Sequence, residues 1–184
     1  SEDNQYRIYG LPMYVDTLAL YYNEDHFEDA IPSRGKPAST WEELQDDVFK
    51  LTKSDNSFER FEVAGIAMGR SDNILRAIDI LYLLMLQYGT EFYDGTFGEA
   101  TFAENADASA DGIKNPGVAA LEYFTQFALP SSKYYSWNAF LASDDSDEKE
   151  IKTFARGKVS MMIGYSYLYE DILSNIEELE AKGS

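Results

Sequence analysis

The chain contains no cysteine and only one histidine, and its 15 Lys and Arg residues are outnumbered by 33 Asp and Glu residues. Without cysteine, the chain has no disulfide framework, no thiolate metal site and no cysteine nucleophile. Its formal net charge of −18 repels phosphate backbones and anionic lipid headgroups. We therefore expect no nucleic-acid partner and no docking to anionic lipid surfaces.

Long apolar runs are also missing. The longest, at 78–86, is interrupted by Asp79 and is shorter than the roughly 18 residues that a membrane span requires. The sequence has no phosphate-binding glycine loop, no dinucleotide fingerprint and no His-rich metal motif, so we expect neither a cofactor nor a metal site. The length of 184 residues and the hydrophobic content of 45% are nevertheless typical of a globular domain with a substantial core.

Predicted strands and helices alternate along the chain, which is typical of an α/β domain. The sheet should be small, because the strands are few and the helices many. Thr40, followed by Glu43, predicts a capped helix start, and Asn115–Pro116 predicts another. We predict strands at 18–22, 61–68 and 158–163, and a hairpin at Asp94–Gly95. We predict helices at 24–30, 40–53, 74–88, 117–128, 147–155 and 167–181, of which 74–88 should be buried.

The segment 161–169 is the most informative about function. An apolar run, typical of a buried strand, ends at Gly164, and three tyrosines follow at 165, 167 and 169. Aromatic rings stack on the C–H faces of sugars, and tyrosine hydroxyls bond their rims. Further aromatic residues, among them Tyr134, Tyr135 and Trp137, fall in a predicted loop. The alternative is that these rings simply pack in a core.

Other motifs do not support catalysis or metal binding. The turn at 164–168 is close to a hydrolase nucleophile elbow, but Leu168 replaces the final glycine. A serine nucleophile also needs a base, and the only histidine, His26, lies on a charged helix where we expect it to be solvated. Asp107 to Gly112 resembles the first half of a calcium loop, but Val118 stands where the closing glutamate should be. The acidic run 144–150 is typical of a solvated loop and a first helical turn. We predict no catalytic residue, although counting carboxylates does not exclude a glycosidase pair.

Four segments, in order, carry a family resemblance: YGLPMYVDTLALYYN at 9–23, TWEEL at 40–44, GIAMG at 65–69 and FARGKVSMMIGYSYLYEDI at 154–172. Together they resemble the extracellular solute-binding proteins of bacterial ABC importers, in the sugar-binding group that includes maltodextrin-binding protein. The resemblance implies a periplasmic-binding-protein-like fold, in which two α/β lobes joined by a hinge enclose a ligand.

The chain resembles mainly one lobe of such a protein. We expect residues 1–184 to be the second lobe, with the N-terminal lobe and its anchoring region before Ser1 and the final hinge-crossing segments after Ser184. The implied function is non-catalytic binding of a carbohydrate, outside the cytoplasm or in the periplasm, for delivery to the membrane permease of an ABC importer. The alternatives are a carbohydrate-active enzyme fragment and an interaction domain that has lost ligand binding.

The resemblance also implies ligand contacts. Asp16 lies where the family enters its second lobe, and Asp72 and Asn73 follow the GIAMG segment. Tyr167 occupies the position of a stacking tryptophan in maltodextrin-binding proteins. The predicted ligand-binding residues are Asp16, Asp72, Asn73, Trp137, Tyr165, Ser166 and Tyr167; of these, Trp137 comes from a loop that the resemblance does not align.

Overall fold

The computed structural model describes residues 10–55, 60–104, 113–141 and 149–183. Helices predominate and the strands are short, as predicted. The elements are β1 (Leu18–Tyr22), α1 (Glu24–Ala30), α2 (Trp41–Leu51), β2 (Lys53–Ser54), β3 (Phe61–Val63), α3 (Ala77–Gln87), α4 (Pro116–Thr125), a 3-10 turn (Gln126–Ala128), α5 (Lys149–Ala155), β4 (Met161–Tyr165) and α6 (Leu168–Ala181).

Local capping chemistry explains why several helices begin where they do. The side chain of Asn23 accepts a hydrogen bond from the backbone N–H of His26 at the start of α1. Thr40 Oγ1 accepts from the N–H of Glu43 at 3.3 Å in α2, and Asn115 caps α4 with a proline at its first position. Each side-chain oxygen satisfies one of the backbone donors that a helix start leaves unpaired. The sequence therefore predicted these three starts to within a residue.

The central strand of the fold is β4. It pairs antiparallel with β1, with Leu18 opposite Tyr165 and Tyr22 opposite Met161. On its other side Ala64 forms a parallel bridge to Val159, and backbone bonds continue as far as Ala67 N–H to the Met161 carbonyl, at 2.9 Å. The predicted strand 61–68 is therefore regular only over β3, which pairs with β2, and continues as an irregular segment beside β4.

A close approach of backbone to backbone packs this irregular segment against α2. At Gly65 an added Cβ would lie 2.6 Å from the carbonyl oxygen of Val48, so only glycine fits there without a shift of the backbone. The core surrounds this contact and includes Phe27, Val48, Leu51, Ile66, Met68, Ile80, Leu84, Phe127, Trp137, Ile151, Met161 and Met162.

Helix α3 differs from the prediction. It spans Ala77–Gln87 rather than 74–88, and only one face, with Ala77, Ile80 and Leu84, is buried. Ile78 is 79% exposed, and Tyr82 and Leu86 on the same stripe are about half exposed. The prediction of a buried helix therefore holds for one face only, because apolar composition does not reveal which faces the neighbouring elements cover.

At the predicted hairpin Asp94–Gly95 the chain reverses direction, but Tyr93 and Ala100 form only an isolated antiparallel bridge across six residues. The predicted strand 18–22 is confirmed as β1, which is only partly buried. The acidic pattern at 107–112 and most of the acidic run 144–150 lie outside the described residues. No helix of the described ranges is both long and apolar enough to cross a bilayer.

Candidate ligand-binding site

The end of β4 presents two tyrosines side by side. Tyr165 is the last residue of the strand, and Tyr167 directly precedes α6. Their ring centroids lie 5.7 Å apart with the planes 12° from parallel. The turn between them is anchored to β1, because the N–H of Ser166 donates to the carbonyl of Thr17 at 3.1 Å and the hydroxyl of Tyr21 donates to the carbonyl of Tyr165 at 2.9 Å. The rings are therefore displayed from a fixed backbone.

Arg76 joins this pair to the start of α3. Its Nη2 donates a hydrogen bond to the hydroxyl of Tyr167 at 2.6 Å, and its guanidinium carbon lies 5.3 Å from the centroid of the Tyr165 ring. A guanidinium within about 6 Å of an aromatic ring makes a cation–π contact. Tyr167 is 47% exposed. The cluster is thus partly ordered by Arg76 and still open to solvent.

An open cavity of about 260 Å³ lies beside the pair. Partial desolvation and the neighbouring carboxylate of Asp79 raise the pKa of Tyr165, and Arg76 opposes them, so this phenol is a protonated hydrogen-bond donor at neutral pH. The carboxylates in the wall accept hydrogen bonds. The cavity is lined by Asp16, Thr17, Leu18, Asp79, Tyr82, Leu83, Leu86 and Tyr165.

Two of the predicted site residues lie in the interior instead. Trp137 is fully buried, and its indole N–H donates to the side-chain oxygen of Asn73 at 2.9 Å. The amide of Asn73 in turn donates to the carbonyl of Asn138 at 2.8 Å. A buried indole and a buried, hydrogen-bonded amide have no surface to offer a ligand. In this structure they stabilise the loop before α3 rather than line the cavity.

Asp72 is exposed but is bound by a neighbour in the chain. Its carboxylate accepts from Arg70 Nε at 2.9 Å and from Arg70 Nη2 at 2.6 Å. The hydrogen bond from Arg70 lowers the pKa of Asp72. Of the predicted residues, the structure thus brings Asp16 and Tyr165 to one cavity, with Ser166 and Tyr167 in the adjoining turn, and places Asp72, Asn73 and Trp137 elsewhere.

The sequence as a whole matches a known family, bacterial extracellular solute-binding proteins, over residues 2–179. The chain belongs to this family. A binding protein of Brucella abortus (strain 2308) is 28% identical in an alignment of 182 positions that covers 95% of this chain and 36% of that protein. A Brucella suis relative matches over the same shares of both chains with the same identity.

Solved structures of solute-binding proteins share the fold. An ABC transporter solute-binding protein from Thermotoga lettingae, bound with α-D-tagatose, superposes with a TM-score of 0.63 at 23% identity, over 93% of this chain and 38% of that chain. A Listeria monocytogenes ABC substrate-binding protein in complex with cycloalternan gives 0.57 at 18% identity, over 84% and 33%. The chain therefore spans about a third of the length of these proteins, and it has the fold of part of a periplasmic-binding-protein lobe.

The only histidine of this chain is partly buried rather than solvated as predicted. His26 Nδ1 lies 2.9 Å from the hydroxyl of Ser160, and burial lowers the pKa of His26. Ser160 precedes β4 and Ser166 follows it. A strand rises about 3.3 Å per residue, so Ser160 and Ser166, six residues apart at opposite ends of β4, are separated by up to about 20 Å. Ser166 has no nucleophile-activating histidine beside it.

Sequence reasoning missed Arg76 and the cavity wall contributed by α3, because it assigned this helix to the interior. One signal was present: Arg76 and Asp79, three residues apart, share a face of an otherwise apolar helix. No three His, Cys, Asp or Glu side chains of the described ranges are grouped so that they could hold a metal ion.

A second cavity, of about 420 Å³, is larger and lies beside β3. Its lining includes Arg60 and Leu141, which adjoin the segments 56–59 and 142–148 outside the described residues. We base the candidate site on the tyrosine pair, whose surroundings are described.

Proposed function

We propose that this chain forms one wall of a carbohydrate-binding cleft in a solute-binding protein that delivers its ligand to an ABC importer. The observation that carries the proposal is the half-exposed pair Tyr165–Tyr167, ordered by Arg76 at the edge of an open cavity. The role is non-catalytic.

The chemistry of the wall fits a neutral, polyhydroxylated ligand. Sugar hydroxyls both donate and accept hydrogen bonds. Asp16 and Asp79 offer acceptors, Arg76 and the Tyr165 phenol offer donors, and the tyrosine rings offer flat apolar faces. The two family members bound to α-D-tagatose and to cycloalternan are consistent with a saccharide. A monosaccharide, an oligosaccharide and a polyol all remain within this class.

The rest of the cleft belongs to another part of the protein. The chain matches just over a third of the length of its relatives, so we infer that residues 1–184 are the second lobe and that an N-terminal lobe supplies the facing wall. By the same inference the protein works in the periplasm or at the cell surface, is anchored to the membrane through its N-terminal region, and has a membrane permease as its partner.

The polar partners of the tyrosines favour ligand binding over a bare docking surface. An interaction domain that had lost its ligand would present an apolar patch, whereas the hydroxyl of Tyr167 is held by a guanidinium. The enzyme alternative requires two carboxylates at a fixed separation across a sugar. A search for released reducing ends during the binding assay tests it directly.

Isothermal titration calorimetry on the complete natural polypeptide tests the proposal, with D-tagatose, maltotriose, cycloalternan and mannitol as probes. We expect saturable binding of at least one saccharide without turnover. The isolated chain should bind the same saccharide at least about tenfold more weakly, because roughly half of the enclosing surface is absent. Absence of binding across the panel, or equal affinity of the isolated chain, contradicts the proposal.

A further inference from the structure

A buried glutamate stands behind the candidate site. Glu150, on α5, is 1% exposed. Its Oε1 accepts a hydrogen bond from the backbone N–H of Leu75 at 3.0 Å. Within the described part of the chain its Oε2 has no hydrogen-bond partner. A carboxylate is costly to bury unless it is paired, so its interior position needs a reason.

The hydrogen bond of Glu150 falls on the backbone just before Arg76. Arg76 is the N-cap of α3, and no side-chain hydrogen bond caps that helix. The Arg76 Nε is buried and has no partner among the described residues. Since no side chain of the described residues caps α3, the backbone at Arg76 is positioned by contacts of neighbouring residues. One of these is the hydrogen bond from the N–H of Leu75, which immediately precedes Arg76, to Glu150.

Helix α5 contacts the loop before α3 at a second point and also reaches the other edge of the site. The ammonium group of Lys149 donates to the carbonyl of Asp72. The helix packs against α6, which begins directly after Tyr167. One short helix thus touches the segments that carry Arg76 and Tyr167.

The electrostatics agree with this geometry. Burial raises the pKa of Glu150, and the charges of Arg76 and Lys149 are close enough to oppose the rise. The carboxyl group and the guanidinium are therefore near enough to interact electrostatically.

We propose that Glu150 is a positioning residue of the ligand site: from the interior it fixes the backbone of Leu75 and so determines where Arg76 presents its guanidinium to Tyr165 and Tyr167. The proposal rests on the proposed function, since positioning matters for binding only if the tyrosine pair contacts a ligand. The acceptor oxygen, rather than the negative charge, performs this role, because the contact is a hydrogen bond to a neutral N–H.

Variants of the complete polypeptide separate positioning from mere stability. E150L removes the acceptor and keeps the bulk, whereas E150Q retains an oxygen for the Leu75 N–H. T153V is the matched control: Thr153 is on the same helix and buried, and its hydroxyl bonds the carbonyls of Leu141 and Lys149 rather than the Arg76 segment.

The first measurement needs no ligand. The side-chain Nε–Hε resonance of Arg76, assigned by its loss in Arg76→Lys, reports the surroundings of the guanidinium. We expect E150L to shift this resonance, and E150Q and T153V to leave it in place. If E150L leaves the resonance unmoved, the proposal is wrong. Should E150L fail to fold, E150D, which withdraws the acceptor by one methylene, must shift it.

The second measurement is the affinity for maltotriose and D-tagatose. E150L should weaken binding about five- to tenfold, as expected when one charged hydrogen-bonding group is misplaced, and E150Q should keep the wild-type affinity. If E150L and E150Q weaken binding equally, the charge rather than the acceptor is responsible and the proposal is overturned. If neither saccharide binds to the wild-type protein, the proposed function fails, while the Arg76 resonance still decides whether Glu150 positions Arg76.

Discussion

Replacing Tyr167 tests the candidate site most directly. In the complete polypeptide, Tyr167→Ala should weaken saccharide binding about fivefold, because stacking on an aromatic ring is worth about 1 kcal/mol. Tyr167→Trp should preserve or strengthen binding, since indole offers a larger face. Tyr167→Phe keeps the ring and removes only the hydroxyl that Arg76 bonds, so most of the affinity should remain.

The stability change follows from the partial burial of Tyr167. Its side chain is 47% exposed, so about half of the roughly 200 Å² of a tyrosine is hidden. At about 25 cal/mol per Å², burial of this area would contribute about 2.5 kcal/mol. The unfolded chain is partly compact and alanine keeps some of the buried surface, so the expected loss from burial is about 1.5 kcal/mol. The hydrogen bond from Arg76 adds about 0.5 kcal/mol. We therefore expect Tyr167→Ala to lower the free energy of unfolding by about 2 kcal/mol, against 3–5 kcal/mol for a fully buried aromatic ring.

Urea titration measures the stability and calorimetry with maltotriose and D-tagatose measures the affinity. Tyr169→Ala is the control, because Tyr169, in the first turn of α6, is 54% exposed and should lose stability without losing affinity. Full affinity in Tyr167→Ala, combined with a loss above 3 kcal/mol, would show that Tyr167 is a core residue and would refute the site.

Three further results are expected. Trp137→Phe should reduce the free energy of unfolding, measured by urea titration, by about 2–3 kcal/mol, because it leaves the buried oxygen of Asn73 without its indole donor. The saccharide affinity of the folded molecules should be unchanged, and a selective loss of affinity would show that Trp137 belongs to the ligand site. Gly65→Ala should destabilise the folded chain by about 1–3 kcal/mol, because the added methyl group clashes with a backbone carbonyl of α2. The control Gly95→Ala should be nearly neutral, because nothing lies within 4 Å of an added Cβ there. Equal melting temperatures of the two variants would contradict this packing. Burial raises the pKa of Glu150, so the folded state holds the carboxyl proton more tightly than the unfolded state does, and the contribution of Glu150 to stability is present below the ordinary carboxyl pKa and is lost as pH rises through the raised pKa. E150Q should lack this fall in stability in a series of unfolding curves at different pH, and an identical pH profile in both proteins would contradict the prediction.

Local chemistry could be predicted from the sequence, and long-range contacts could not. The caps at Asn23, Thr40 and Asn115 depend on residues three positions away, and each predicted start is confirmed. The bond between Arg76 and Tyr167 joins residues 91 positions apart. No periodicity encodes such a pair, because it arises only when α3 and the end of β4 come together.

Burial was the weaker part of the prediction for the same reason. Trp137 was predicted to bind ligand from a loop, yet its indole is fully buried and bonds Asn73, 64 positions away. Helix α3 was assigned to the interior from its composition, yet Ile78 is exposed. In both cases the neighbours that decide accessibility are set by tertiary packing rather than by local sequence.

The pairing of β1 with β4 makes the site sensitive to the number of residues within β1. Leu18 lies opposite Tyr165, and the segment just before β1 contributes Asp16 to the cavity. Side chains alternate across a strand, so adding or deleting one residue within β1 would transfer each residue on one side of the change to the opposite face. Substitutions in this ladder should therefore be tolerated more readily than single-residue insertions. Ligand specificity can change in evolution through substitutions of the cavity side chains, while the number of residues between Asp16 and the β1–β4 pairing stays fixed.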